Sequence, residues 1–181
     1  MQKNKIFKSV HYLTLAAMLT AVSVVIGIVC KSFLNFGGGL FRITFENLPI
    51  ILSGLVMGPA VGGLVGAATD LISYMLSPQI YPPNLIVTAG AATVGIVSGF
   101  TAKYLFKERG SNQIIFSAGL AHALGSMIIK PIGLYSYYGI LVLWRIPLYL
   151  IIAPLEIALI CMMYKNAAVS RVMDGGLLGD I

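Results

Sequence analysis

Arg42, Glu46 and Asn47 stand close together in the first third of the chain, and Asp70 and Tyr74 lie one helical turn apart. Tyr81 and Asn84 flank Pro82-Pro83, and Lys130, Trp144 and Arg145 follow in the last third. Carboxylates and carboxamides present hydrogen-bonding edges, tyrosine and tryptophan present stacking faces, and lysine and arginine make charge-assisted bonds to anions. This is binding chemistry. Catalysis would need a paired nucleophile and base or a metal triad, and the sequence offers neither. Several of these groups also have plainer roles. Arg42 and Glu46, four apart, can pair with each other, Lys31 and Lys130 can snorkel to a membrane surface, and Asp70 can bond a neighbouring helix. Arg145, Tyr149 and Glu156 share one stripe, because eleven residues bring a helix almost back to the same angle. Glu156 is read as an internal polar contact. His122, one turn from Ser126, is read as a hydrogen-bonded packing residue.

The elements that must hold these groups are membrane helices. Of 181 residues, 58% are apolar and only 10% charged, far from the roughly 25% charged of a soluble domain, and the mean hydropathy is +0.92. A spanning helix takes about 20 apolar residues, so a bundle of six transmembrane helices consumes nearly the whole chain and leaves no room for a soluble catalytic domain. The expected class is therefore all-α and polytopic. Helices are predicted at about 11–31, 47–57, 60–77, 84–106, 112–131 and 143–165. The second is short, and Gly58-Pro59 makes it a tight hairpin with the third. Pro131 to Leu141 reads as a Tyr- and Gly-rich loop. Residues 1–166 read as one membrane domain and 167–181 as a polar tail. The amino-terminal Lys3, Lys5 and Lys8 before an apolar run resemble a secretory leader, but the run is too long for one and is read as a helix.

Basic residues set the orientation. Lys3, Lys5 and Lys8, then Lys103, Lys107 and Arg109, then Lys165 and Arg171 fall on one side of an even number of spans. By the positive-inside rule that side, with both termini, is cytoplasmic. The outer side then carries the loops near 32–46, 78–83 and 132–142, and with them the polar residues named above. Ionisable groups at membrane depth face a cavity, a partner or one another.

Other classes are excluded or weakened. No Gly-Lys-Ser/Thr phosphate loop is present, so ATP hydrolysis is not expected of this chain. No Cys/His cluster has metal-ligand spacing, and Cys30 and Cys161 fall near opposite faces, too far apart for a disulfide. The net charge of +6 is spread over membrane-flanking segments rather than gathered as a nucleic-acid patch. Small residues four apart, at Ala17/Ala21, Gly58/Gly62/Gly66, Gly95/Gly99 and Ala121/Gly125, suit close helix packing.

The run Ala17-Met18-Leu19-Thr20-Ala21 and the segment from Arg42 through Glu46-Asn47-Leu48-Pro49 to Gly58-Pro59 resemble the substrate-binding S components of energy-coupling factor (ECF) vitamin transporters. The likeness runs from about residue 8 to residue 166. Asp70-Leu71-Ile72-Ser73-Tyr74, Tyr81-Pro82-Pro83-Asn84-Leu85 and Thr88-Ala89 look most like the folate-specific members, although Pro83-Asn84 departs from their usual pattern. The resemblance implies a subunit of the bacterial plasma membrane, without enzymatic activity or cofactor. It would capture a vitamin from outside, dock on a transmembrane coupling protein with two ATPases, and topple to deliver its cargo. Ala17 and Ala21 match the surface that packs on the coupling protein. For folate, Asp70, Glu46, Asn47 and Asn84 would meet the pterin edge, and Tyr74, Tyr81 and Trp144 its faces. Arg42, Lys130 or Arg145 would take the glutamyl carboxylates. Gly37-Gly38-Gly39 would either form a mobile lid or a fixed turn. An S component for pantothenate, pyridoxine or a thiamin precursor is the alternative, with an intramembrane enzyme or scaffold a more distant one.

Overall fold

The computed structural model describes residues 2–36, 41–77, 82–106 and 110–166. Among them the chain is helical apart from one small antiparallel hairpin. Helix α1 (Gln2–Phe33) starts nine residues earlier than the apolar pattern predicts, because the lysine-bearing amino-terminal residues continue the same helix. Its last turn closes with the Leu34 N–H donating to the Cys30 carbonyl, 2.8 Å. Strands β1 (Asn35–Phe36) and β2 (Phe41–Arg42) then pair, with Asn35 opposite Arg42 and Phe36 opposite Phe41. The glycines expected to form a lid, 37–39, lie outside the described residues, as do Tyr81 and the tail from 167.

Helix α2 (Asn47–Met57) carries Pro49 in its first turn, where the missing N–H would have had no helical partner. It ends at Gly58, whose φ of 90° lies in the left-handed region that a side chain disfavours. Pro59 immediately opens α3 (Pro59–Leu76), so the Gly58-Pro59 pair ends one helix and starts the next, as the dipeptide predicts. Helix α4 (Leu85–Tyr104) is capped by Asn84, whose side chain accepts from the Ile86 N–H at 2.9 Å.

The largest departure from expectation follows α5 (Ser111–Ala121). The predicted loop from Pro131 to Leu141 is instead helix: a π-helical segment (His122–Ile129) leads into α6 (Lys130–Tyr138), then a 3-10 turn (Gly139–Trp144) and α7 (Arg145–Tyr164). A proline ring crowds the carbonyl four residues back and normally stops a helix. Here the wider π turn sends the Lys130 N–H to the Gly125 carbonyl, so the rod passes Pro131 instead of breaking.

The helix order builds a bundle with α4 at its centre, packed on α2, α3, α5, the π segment and α6. Contact between α3 and α4 is the most extensive, and glycine allows it. A Cβ on Gly95 would overlap the Gly62 carbonyl, and one on Gly66 the Ala91 carbonyl. Ile50, Ile51, Val94, Ile114 and Ile160 fill the core, while Leu64, Met75, Leu85 and Ile151 point outward, as lipid contact requires. Among the described residues four stretches are long and apolar enough to cross a membrane: Tyr12–Phe33, Pro59–Leu76, Leu85–Tyr104 and Ser111–Tyr164. The last includes the 3-10 corner. At about 1.5 Å per residue, α2 rises only about half the hydrocarbon thickness.

Candidate functional site

The chain direction puts the end of α1, the hairpin, the starts of α2, α4 and α7, and the ends of α3 and α6 at one end of the bundle. Contacts across that end confirm it: Lys31 Nζ donates to the Ser73 carbonyl (3.2 Å), and Asn84 Nδ2 to the Gly133 carbonyl (2.6 Å). Arg42, Glu46, Asn47, Asp70, Tyr74, Asn84, Lys130, Trp144 and Arg145 all belong to the elements of this end.

The most enclosed part is built around Lys130. Its ammonium donates to Asn47 Oδ1 at 3.0 Å and lies 3.6 Å from Glu46 Oε1. Asn47 Nδ2 in turn reaches Ser126 Oγ at 3.4 Å. All four side chains are buried. Two glycines make the room. A Cβ on Gly90 would sit 2.7 Å from Lys130 Cγ, and one on Gly27 would sit 2.8 Å from Glu46 Oε2, so the lysine stem crosses α4 and the glutamate carboxylate abuts α1. Ser23 of α1 donates to the Glu46 carbonyl at 2.5 Å, fixing the backbone where α2 begins. The four-residue spacing allows Glu46 to pair with Arg42; in the fold its carboxylate faces Lys130, which is 84 residues downstream in a different helix. Of Arg42 only the backbone, in β2, is described.

A second group lies across α3 and α4. Thr88 Oγ1 donates to Asp70 Oδ2 at 2.7 Å. Asp70 and Tyr74 are both half-buried, in keeping with a shared face. Asn84 has its amide engaged twice, as the cap of α4 and as the donor to Gly133, which makes it a clamp between α4 and α6. Tyr137 adds to that clamp by donating to the Pro82 carbonyl, 3.2 Å.

On α7, Arg145, Tyr149 and Glu156 are all buried, so the stripe faces inward. Trp144, one residue earlier, is 61% exposed and faces away from the packed interior. Deeper in the bundle His122 Nε2 lies 2.9 Å from Glu156 Oε2, with both side chains almost wholly enclosed. That is the internal polar contact expected of Glu156, while the His122 Nδ1 has no hydrogen-bond partner among the described residues. Neither Cys30 nor Cys161 is bridged. Among the described residues no cluster of His, Cys, Asp or Glu could hold a metal ion.

The signals that sequence reading underused are small hydroxyls. Ser23, Ser126 and Thr88 each sit one or two turns from a residue singled out for its charge or amide, yet a serine in an apolar helix has many ordinary uses. A separate pocket of about 370 Å³ lies at the other end, lined by Gly54, Met57, Gly58, Gly99, Lys103 and Gln113 among others. It includes none of the candidate residues.

Against known proteins, the sequence matches the family described as ECF transporter, substrate-specific component, over residues 11–175. The chain belongs to this family. As an ECF substrate-specific component it is a transport subunit and a multi-pass membrane protein. It is 26% identical over 122 residues to the folate transporter FolT of Clostridium novyi (strain NT), covering 66% of this chain and 67% of that protein. It is 30% identical over 112 residues to the uncharacterized protein MG098 homolog of Mycoplasma pneumoniae, spanning 57% of this chain but only 22% of that longer protein. The crystal structure of FolT bound with folic acid superposes with a TM-score of 0.61 at 24% identity, covering 90% of this chain and 92% of that one. This last likeness establishes the shared fold.

Proposed function

We propose that this S component captures folate from outside the cell and delivers it inward on an ATPase-driven module. The observation that carries the reading is the match to the Clostridium novyi folate transporter, which extends over two thirds of both chains. A fold shared with a FolT solved with folic acid supports it. The polar groups also suit the ligand. Asp70 offers acceptors to the pterin edge, while Glu46, Asn47 and Asn84, at the same end of the bundle, hold Lys130 and the start of α4 in place. Tyr74, Tyr81 and Trp144 offer aromatic faces. Arg145 and Arg42 are the cations for charge-assisted bonds to the glutamyl carboxylates, because Lys130 is engaged by Glu46 and Asn47.

In this reading the site end faces outward, six helical segments form the membrane domain of residues 1–166, both termini are cytoplasmic, and the protein resides in the bacterial plasma membrane. Lys103 and Lys165, both exposed at the other end, fit the positive-inside rule. The partners are a transmembrane coupling protein and two ATPases, met through the face that carries Ala17 and Ala21, and toppling in the bilayer moves the cargo. Purified protein in detergent is expected to bind folate without ATP in a calorimetric titration. Tight binding of pantothenate, pyridoxine or a thiamin precursor with none of folate would overturn the ligand assignment.

A further inference from the structure

Three carboxylates occur among the described residues, and they are not equivalent. Glu46 faces Lys130 and Glu156 faces His122. Asp70 faces no cationic side chain, and its one bond is the hydroxyl of Thr88 on Oδ2, which leaves Oδ1 without a partner among the described residues. A half-buried carboxylate in a membrane protein without a counter-ion is costly unless something else supplies donors. The Thr88 hydroxyl has one proton. It lies 2.7 Å from Asp70 Oδ2 and 3.4 Å from the Asn84 carbonyl, and the shorter, charge-assisted bond takes it. Thr88 itself is held on the first turn of α4, where Asn84 both caps the helix and ties it to Gly133 of α6. The donor is therefore fixed before any ligand arrives.

We propose that Thr88 is a positioning residue for ligand capture, orienting the Asp70 carboxylate so that Oδ1 and the remaining lone pair of Oδ2 receive two adjacent N–H groups of the ligand. The inference rests on the folate reading above, in which that pair is the 2-amino group and the neighbouring ring N–H of the pterin. A ligand edge of this kind needs two acceptors side by side in one plane, and a carboxylate free to rotate provides them only part of the time.

The test compares wild type, Thr88→Val and Thr88→Ser, each as the full chain in detergent, titrated with folate and with an analogue lacking the 2-amino group. Valine keeps the shape and removes the hydroxyl; serine keeps the hydroxyl. Thr88→Val is expected to weaken folate by about 10- to 100-fold, the size of one hydrogen bond to a charged group. It should weaken the analogue much less, so that discrimination between the two collapses, and Thr88→Ser should restore it. A purely structural threonine would instead weaken both ligands equally and lower the melting temperature of the ligand-free protein. If wild type binds folate and Thr88→Val keeps the wild-type ratio, the inference is wrong while the folate reading stands. If wild type ignores folate, both fall together.

Discussion

At the scale of single residues, the buried polar groups divide into those that face one another and those that leave capacity for a guest. His122 and Glu156, 2.9 Å apart deep in the bundle, are of the first kind. Removing one member of such a pair typically costs about 3–5 kcal/mol, whereas replacing both by apolar groups of similar volume is often close to neutral. His122→Leu should therefore lower the melting temperature in detergent markedly, and His122→Leu combined with Glu156→Leu should recover most of the loss. Equal losses for the single and double variants would mean that the two side chains do not act as a pair. Asp70 is of the second kind. Asp70→Ala should leave the ligand-free melting temperature within a few degrees of wild type while weakening folate by more than about tenfold, measured by thermal stabilisation across a ligand series. The sequence displayed each of these ionisable residues, because a charge in an apolar span stands out. It could not show that Lys130 meets Glu46 and Asn47 rather than the membrane surface, since those pairings join residues more than 80 positions apart.

At the scale of elements, glycine decides how closely the helices approach. Gly95 of α4 has no space for a side chain, because a Cβ there overlaps the backbone of Gly62 on α3. Gly95→Ala should destabilise by about 1–3 kcal/mol, the usual range for overpacking. Gly119 of α5 has nothing within 4 Å of where its Cβ would be. Gly119→Ala should therefore be neutral or stabilising by up to about 1 kcal/mol, since glycine in a helix interior is the poorer residue. Opposite signs for two glycine-to-alanine changes, read by thermal unfolding in one detergent, would separate packing from propensity. Helix positions were largely legible from apolar runs, and Gly58-Pro59 marked a joint that the structure contains. Pro131 misled, because proline's local preference to end a helix was overridden by a π turn held in place between α4 and α7. Propensity acts over a few residues, and this outcome was decided by packing across the bundle.

At the scale of the whole molecule, Ala17 and Ala21 lie exposed on α1, a helix that packs mainly on α2 and α3. That leaves a small-residue face available to another protein. Ala17→Leu or Ala21→Leu should leave folate binding by the isolated subunit unchanged and abolish uptake by the assembled transporter, measured with labelled folate in proteoliposomes. Loss of binding with assembly intact would place that face elsewhere. The residue string alone was enough to require a lipid-embedded helical bundle, because 58% apolar content leaves too little polar surface for water. It also displayed the ionisable groups of the spans, because burying charge in hydrocarbon is costly. Only the tertiary structure decided which of those groups are already spoken for. Among the described residues Lys130 is engaged by Glu46 and Asn47, Glu156 by His122, and Asp70 only by a hydroxyl. Hydrogen bonds and ion pairs depend on distances between helices, and no local pattern in a sequence encodes those distances.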